Sequence, residues 1–218
     1  MSDAASRRFQ GVIFDYGGVF VTSPYQGIAE FEAEMGYPPG SVPAVLLAGY
    51  RDAGAQTDLH RVETGELPLA DYLAGVERAS SGQLGGRDFD AFAYHEFLMS
   101  APLRSHWAVV HRARELREAG FRVGLLTNTV REWGDAWRST IPMDLFHDVV
   151  DSSEVGLRKP DLRIYELACE RLGVDAAACV FLDDQEENVD GARAAGLTGI
   201  VVTDPAVALQ ELDALLLS

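Results

Sequence analysis

Short apolar runs that end on a polar residue recur along the chain, each followed by a tight turn or a helical pattern. Residues 11–14 are the first such run, ending on Asp15 before Tyr16-Gly17-Gly18. Residues 121–126 end on Thr127-Asn128-Thr129, a weaker run covers 148–150, residues 179–182 end on Asp183-Asp184, and residues 199–202 are the fifth. Runs this short, bounded by turn residues, predict buried strands. Between them the period changes to that of a helix. Val109, Val110, Ala113 and Leu116 share a face within 103–119, and Gly120 stops the pattern. Pro160 suits the first turn of a second helix, whose apolar positions Ile164, Leu167, Ala168 and Leu172 lead to Gly173. A third helix is predicted over 185–195, stopped by Gly196. Alternation of this kind predicts an α/β fold, a Rossmann-like open parallel sheet with flanking helices.

Residues 24–101 break the alternation. No convincing strand occurs there, and several amphipathic helical patterns are punctuated by Pro38-Pro39, Gly54, Gly65, Pro68 and Gly85-Gly86. The expected organisation is a core of 1–22 and 102–218, with an all-helical cap of 23–101 inserted after the first strand. The cap aromatics Tyr25, Tyr37, Tyr50, Phe89, Phe92, Tyr94 and Phe97, at helical intervals, are expected to pack rather than to line a pocket, and Trp107 is expected to pack as well.

Composition narrows the function classes. The 218 residues are 47% hydrophobic and 24% charged, which is globular, and 34 acidic against 18 basic residues give a net charge of −16. That sign argues against nucleic acid or an anionic membrane as partner. It also repels an anionic substrate unless a local cation overrides it. Cys169 and Cys179 form no metal-binding spacing and are expected to be buried thiols in a reducing compartment. Arg7 and Arg8 precede a run broken by Asp15 with no cleavage pattern, and no stretch approaches the roughly 18 apolar residues of a membrane span, so a cytoplasmic protein is expected.

In an open α/β sheet, ligands bind outside the carboxyl ends of the strands. Asp15, Thr127-Asn128 and Asp183-Asp184 belong there. Carboxylates crowded at neighbouring strand ends raise one another's pKa, and a hard divalent cation resolves the conflict; Mg²⁺ suits carboxylates, water and a phosphate oxygen. Glu186 and Glu187 are read instead as an acidic first turn that complements the helix dipole. Lys159 is the only lysine among the 18 basic residues. Where arginine is used everywhere else, one compact point charge on a flexible stem suggests a tight site.

Four motifs in order resemble the haloacid dehalogenase-like hydrolase superfamily: Phe14-Asp15-Tyr16-Gly17-Gly18-Val19; Leu125-Leu126-Thr127-Asn128; Arg158-Lys159-Pro160-Asp161 with Ile164-Tyr165; and Phe181-Leu182-Asp183-Asp184 with Asn188 and the 191–196 segment. The similarity is greatest to the branch of bacterial sugar-phosphate phosphatases and the phosphatase-like N-terminal domain of soluble epoxide hydrolases. The resemblance implies a phosphatase acting on a small phosphorylated metabolite. Asp15 is then the nucleophile, Asp15, Asp184 and the Gly17 carbonyl hold Mg²⁺, and Asp183 and Asn188 support the metal. Thr127, Asn128 and Lys159 bind the phosphoryl group.

One position departs from the pattern. Many relatives carry a second aspartate two residues after the nucleophile as general acid–base, and this chain has Gly17 there. Four readings follow: a phosphatase favouring good leaving groups or using a cap proton donor, a metal-free 2-haloacid dehalogenase, a non-catalytic phospho-ligand- or partner-binding module, and phosphotransfer to an acceptor other than water. His60, His95, His106, His111 and His147 are donors by titration range, though each is expected to be a surface or packing residue. Arg131 and Arg158 flank two motifs as candidates for a second anionic group.

Overall fold

The structure, a computed structural model, describes residues 7–48, 50, 56–100 and 102–217; Gly54 and Ala101 lie outside the described residues. Strands β1 (Gly11–Phe14), β2 (Arg122–Thr127), β3 (Asp148–Asp151), β4 (Cys179–Asp183) and β5 (Thr198–Val201) form one parallel sheet in the order β3-β2-β1-β4-β5. The fold is the expected Rossmann-like α/β sheet, and each strand lies within one residue of its apolar run. Being covered on both faces, the strands read as continuous apolar runs rather than as alternation.

Five helices come from the segment after β1: α1 (Ile28–Met35), α2 (Ser41–Leu46), α3 (Asp58–Glu63), α4 (Leu69–Ala79) and α5 (Ala91–Ser100). The others are α6 (Trp107–Glu118), α7 (Ser152–Val155), α8 (Leu162–Leu172), α9 (Glu186–Ala194) and α10 (Pro205–Leu216). Val12 and Phe14 of β1 pack in one cluster with α6 and α10, while Ile13 between them packs on the opposite face with α8 and α9. Among the described residues, no helix is long and apolar enough to cross a membrane.

Three local expectations change. Helix α6 starts at Trp107, because Ser105 bridges Val21 and the His106 N–H donates to Phe20 O at 2.7 Å, which holds the preceding residues extended. Trp107 is 59% exposed and faces His111, so it does not pack in the core. Pro160 lies before α8, whose cap is Asp161, the carboxylate accepting the Arg163 N–H at 3.0 Å. Helix α10 was not anticipated. Its start is an Asp204 cap that accepts from the N–H groups of Ala206 and Val207, with Pro205 in the first turn.

Helices α1–α5 bury a cluster of their own, in which Phe31, Tyr37, Phe89 and Tyr94 meet, whereas Tyr25 and Phe92 are exposed. We propose that they are the cap, with the limits 23–101. Core residues reach into that layer. Val130 is buried within the cluster, Trp133 packs against it, and Glu132 Oε1 accepts the Leu69 N–H at 2.9 Å, satisfying a free donor at the start of α4.

One contact in the core bears directly on the loop carrying Lys159. A Cβ on Gly191 of α9 would lie 2.8 Å from Pro160 Cβ and 2.9 Å from Pro160 O. Alanine is normally better than glycine in a helix by about 1 kcal/mol, but forcing a methyl group into a filled gap costs about 1–3 kcal/mol. Gly191→Ala should therefore lower stability in urea denaturation; a gain would show that α9 moves off the loop freely.

Candidate active site

The sheet order puts the ends of β2, β1 and β4 side by side. The Asp15 N–H donates to Leu182 O at 2.8 Å, which carries the β1–β4 pairing one residue past the strand and sets the Asp15 side chain beside the end of β4. Carboxylate oxygens of Asp15, Asp183 and Asp184 lie within 4.8 Å of one another. Lys159, 1% exposed, enters this cluster from the loop before α8. Its Nζ is 2.8 Å from Asp15 Oδ1 and 2.5 Å from Asp183 Oδ2, and lies over the Phe181 ring.

Asp183 is fixed on every side. Besides Lys159 it accepts from the Gln185 N–H at 2.8 Å and from Asn188 Nδ2 at 3.0 and 3.1 Å, and Tyr165 OH donates to Asn188 O at 2.7 Å. The expected substrate contact Asn128 uses its side chain differently. Its Nδ2 donates to Lys159 O at 3.0 Å and its Oδ1 accepts the Lys159 N–H at 2.9 Å, so the amide grips the lysine backbone on both sides. Thr127 is buried at the end of β2, its hydroxyl engaged only at 3.5 Å with Asn128 O. Gly17 forms an isolated bridge with Val21 in the loop that follows Asp15.

Burial chiefly raises the Asp15 carboxyl to about 7; Lys159 opposes the shift, and Asp183 and Asp184 add to it. Asp184 is raised to about 6, by burial first and by Asp183 second. For Lys159, burial disfavours the charge, but Asp15 and Asp183 outweigh it and hold the ammonium above its usual range. Three carboxylates facing one ammonium leave an excess of negative charge. An all-oxygen donor set of this kind fits a hard divalent cation such as Mg²⁺.

Gly18 belongs to the site for a reason the sequence only hinted at through its Gly-Gly turn. Its φ is +74°, and a Cβ there would lie 2.4 Å from Asp184 Oδ2, so any side chain would displace that carboxylate. Glu63 was missed altogether: it is a cap carboxylate, buried, with its Oε2 2.6 Å from Arg158 Nε. That bond, with one from Arg158 Nη2 to Tyr50 OH at 2.5 Å, engages the Arg158 guanidinium. Arg131 donates to Ser153 O. The histidines have structural partners: His60 Nδ1 accepts the Thr57 N–H, His106 Nδ1 meets Val19 O, His147 Nδ1 accepts the Val123 N–H, His95 Nε2 accepts from Trp133, and His111 lies against Trp107. Glu186 and Glu187 are exposed in the first turn of α9, as a dipole-complementing pair should be.

Removing the ammonium should expose this balance. A buried ion pair that loses one partner typically costs about 3–5 kcal/mol, and Lys159→Met leaves Asp15 and Asp183 facing each other. Without Lys159 the Asp15 carboxyl rises further above its unfolded value. An acid raised on folding contributes stability at low pH that is lost as pH climbs through the folded value. The deficit of Lys159→Met relative to wild type, measured by urea unfolding without metal, should be smaller at pH 5 than at pH 8. Equal deficits would remove Asp15 from the explanation.

Comparison with known proteins places this geometry. A phosphatase, MT3486 of Mycobacterium tuberculosis, is 31% identical over 139 residues, covering 62% of this chain and 61% of that protein. Bifunctional epoxide hydrolase 2 of Sus scrofa is 27% identical over 218 residues, covering 94% of this chain and 38% of the enzyme. The chain spans between 20% and 61% of the length of the first curated relatives it matches. Among solved structures, a haloacid dehalogenase family enzyme of Bacteroides thetaiotaomicron in complex with magnesium and inorganic phosphate superposes with a TM-score of 0.61 at 20% identity, over 88% of this chain and 93% of that one. The haloacid dehalogenase-like hydrolase profile matches residues 9–196, from just before β1 to just past α9. On that match, which takes in the ends of β1, β2 and β4, the chain belongs to the haloacid dehalogenase-like hydrolase family.

Proposed function

We propose that the chain is a Mg²⁺-dependent phosphatase that hydrolyses a small phosphomonoester, for example a sugar phosphate, through an aspartyl-phosphate on Asp15. The observation that carries this reading is the Asp15 carboxylate, held 2.8 Å from the buried Lys159 ammonium and grouped with Asp183 and Asp184. The names of the relatives support it: one is a phosphatase, and a structural neighbour holds magnesium and phosphate.

Asp15 attacks phosphorus through a carboxylate oxygen, the ester P–O bond breaks, and the oxygen departs as an anion that takes its proton from solvent. Water then attacks the phosphorus and gives up a proton to solvent, the acyl P–O bond breaks, and inorganic phosphate and the Asp15 carboxylate are released. The Thr127 hydroxyl and the Asn128 N–H donate to phosphoryl oxygens, and Lys159 compensates the charge that develops on them. The Asn128 side chain aims Lys159 by its two backbone bonds. Asp183 and Asn188 hold the ammonium and the carboxylate cluster in register. Asp15, Asp184 and the Gly17 carbonyl would hold Mg²⁺, which would supply positive charge to the phosphate and favour the ionised form of Asp15. The surplus negative charge of the chain is thereby reversed locally.

With Gly17 in place of an aspartate, no side chain at that position protonates the leaving oxygen. General acid–base help is worth about 10²–10⁴-fold, roughly 3–5 kcal/mol of barrier. Leaving groups that depart as stable anions are therefore favoured: acyl, aryl and anomeric phosphates over simple alkyl ones. A metal-free dehalogenase would have to hold the Asp15, Asp183 and Asp184 charges against the Lys159 ammonium alone, and a binding module has no need of the nucleophile.

A phosphate-ester panel with and without Mg²⁺, ranked by leaving-group pKa, tests the reading. Turnover should require the metal and fall steeply as leaving-group pKa rises. Asp15→Asn should abolish it with the fold intact, and Gly17→Asp should accelerate alkyl phosphates most. Equal aryl and alkyl rates in the wild type would remove the role assigned to Gly17. Chloride release from 2-chloropropionate without metal would replace the phosphatase reading by the dehalogenase one.

A further inference from the structure

A carboxylate taken out of water is costly unless a cation and hydrogen-bond donors meet it. Glu63, at the end of α3, is such a group, and with Tyr50 it meets one cation of the core, Arg158. Its Oε2 is 2.6 Å from Arg158 Nε, and Tyr50 OH donates to it at 3.1 and 3.2 Å. Tyr50 OH in turn accepts from Arg158 Nη2, and the guanidinium lies over the Tyr50 ring at 4.8 Å. The bonds are mutually compatible, since the tyrosine hydroxyl donates its one proton to Glu63 and accepts from Arg158 on its oxygen. The Glu63 and Arg158 side chains are only 10% and 14% exposed, so water screens the pair little.

Arg158 is the residue before Lys159. The same stretch of backbone is held from the core side by the Asn128 amide, which takes both the N–H and the C=O of Lys159. Two anchors thus bracket the segment that aims the catalytic ammonium, one from the core and one from the cap. The remaining cap–core bonds described above, Glu132 to Leu69 N–H and Trp133 to His95, fall on the 130–133 segment instead.

We propose that Glu63 is a positioning residue for Lys159: by gripping Arg158 with Tyr50 it locks the Arg158–Lys159 backbone, so that the ammonium is correctly aimed only while the cap is docked. Cap docking and assembly of the phosphoryl site are then one event. The kinetic part of this inference rests on the phosphatase reading; the structural part does not.

Hydrogen–deuterium exchange of the peptide spanning 156–165, read on the full-length chain, tests the clamp directly. Glu63→Gln should raise exchange there about tenfold or more, Glu63→Asp should restore much of the protection, and the control Glu132→Gln should leave it unchanged. With p-nitrophenyl phosphate and Mg²⁺, Glu63→Gln should lower kcat about tenfold to a hundredfold, as expected for a group displaced by a fraction of an ångström to an ångström. KM should change less than threefold, and Glu63→Asp should recover part of kcat. Unchanged exchange in folded Glu63→Gln, or an equal rise in Glu132→Gln, overturns the proposal whatever the activity. A kcat loss in Glu63→Gln that Glu63→Asp does not recover at all does so too. If wild type fails to turn over any phosphate ester, the phosphatase reading falls while the exchange result still decides the clamp.

Discussion

Three acidic side chains pressed together inside a protein repel one another, and the site exists because a single ammonium stands between two of them. The Lys159 Nζ bridges Asp15 and Asp183, drawn from strands adjacent in the sheet but distant in sequence. Everything around serves that bridge. Asn188 and the Gln185 N–H hold Asp183, the Asn128 amide holds the lysine backbone, and Gly18 yields the volume that Asp184 occupies. Bond lengths near 2.5–3.0 Å in a setting poor in water make these interactions strong, and equally make any missing partner expensive.

The sheet decides which residues take part. With β1 central and flanked by β2 and β4, three successive crossovers between parallel strands deliver Asp15, Thr127 and Asp183 to one rim. Parallel strands all present the same end to that rim, so polar residues one turn past each apolar run converge without any long-range feature in the sequence. The helices on the two faces then bury the alternating strand residues, and the Glu63–Arg158 pair brings α3 to the residue beside Lys159.

How much of this was legible follows from the range of the interactions. Strands buried on both faces leave unbroken apolar runs, so all five were found, and Asp15, Asp183 and Asp184 were placed by standing at the ends of those runs. Lys159 stood out because arginine fills every other basic position. What was not legible depends on partners far apart in sequence. Glu63 looks like any exposed helical glutamate until Arg158, 95 residues away, is placed beside it. Nothing local in the sequence says that the Asn128 amide meets the backbone of residue 159. Trp107, beside a core motif, is expected to pack, yet the bridge from Ser105 to Val21 fixes where α6 begins and leaves that ring 59% exposed. Helix α10 escaped notice although its Asp204-Pro205 start is a legible cap signal.

The arginine-dominated composition has a practical side. With one lysine in the whole chain, 1% exposed, the folded protein offers amine-selective reagents no accessible side-chain target. Acylation of that nitrogen would report transient opening of the crevice, and the proline that follows it makes the same bond a poor site for trypsin. The Lys159 ammonium thus doubles as a built-in chemical reporter of how often the buried charge cluster meets solvent.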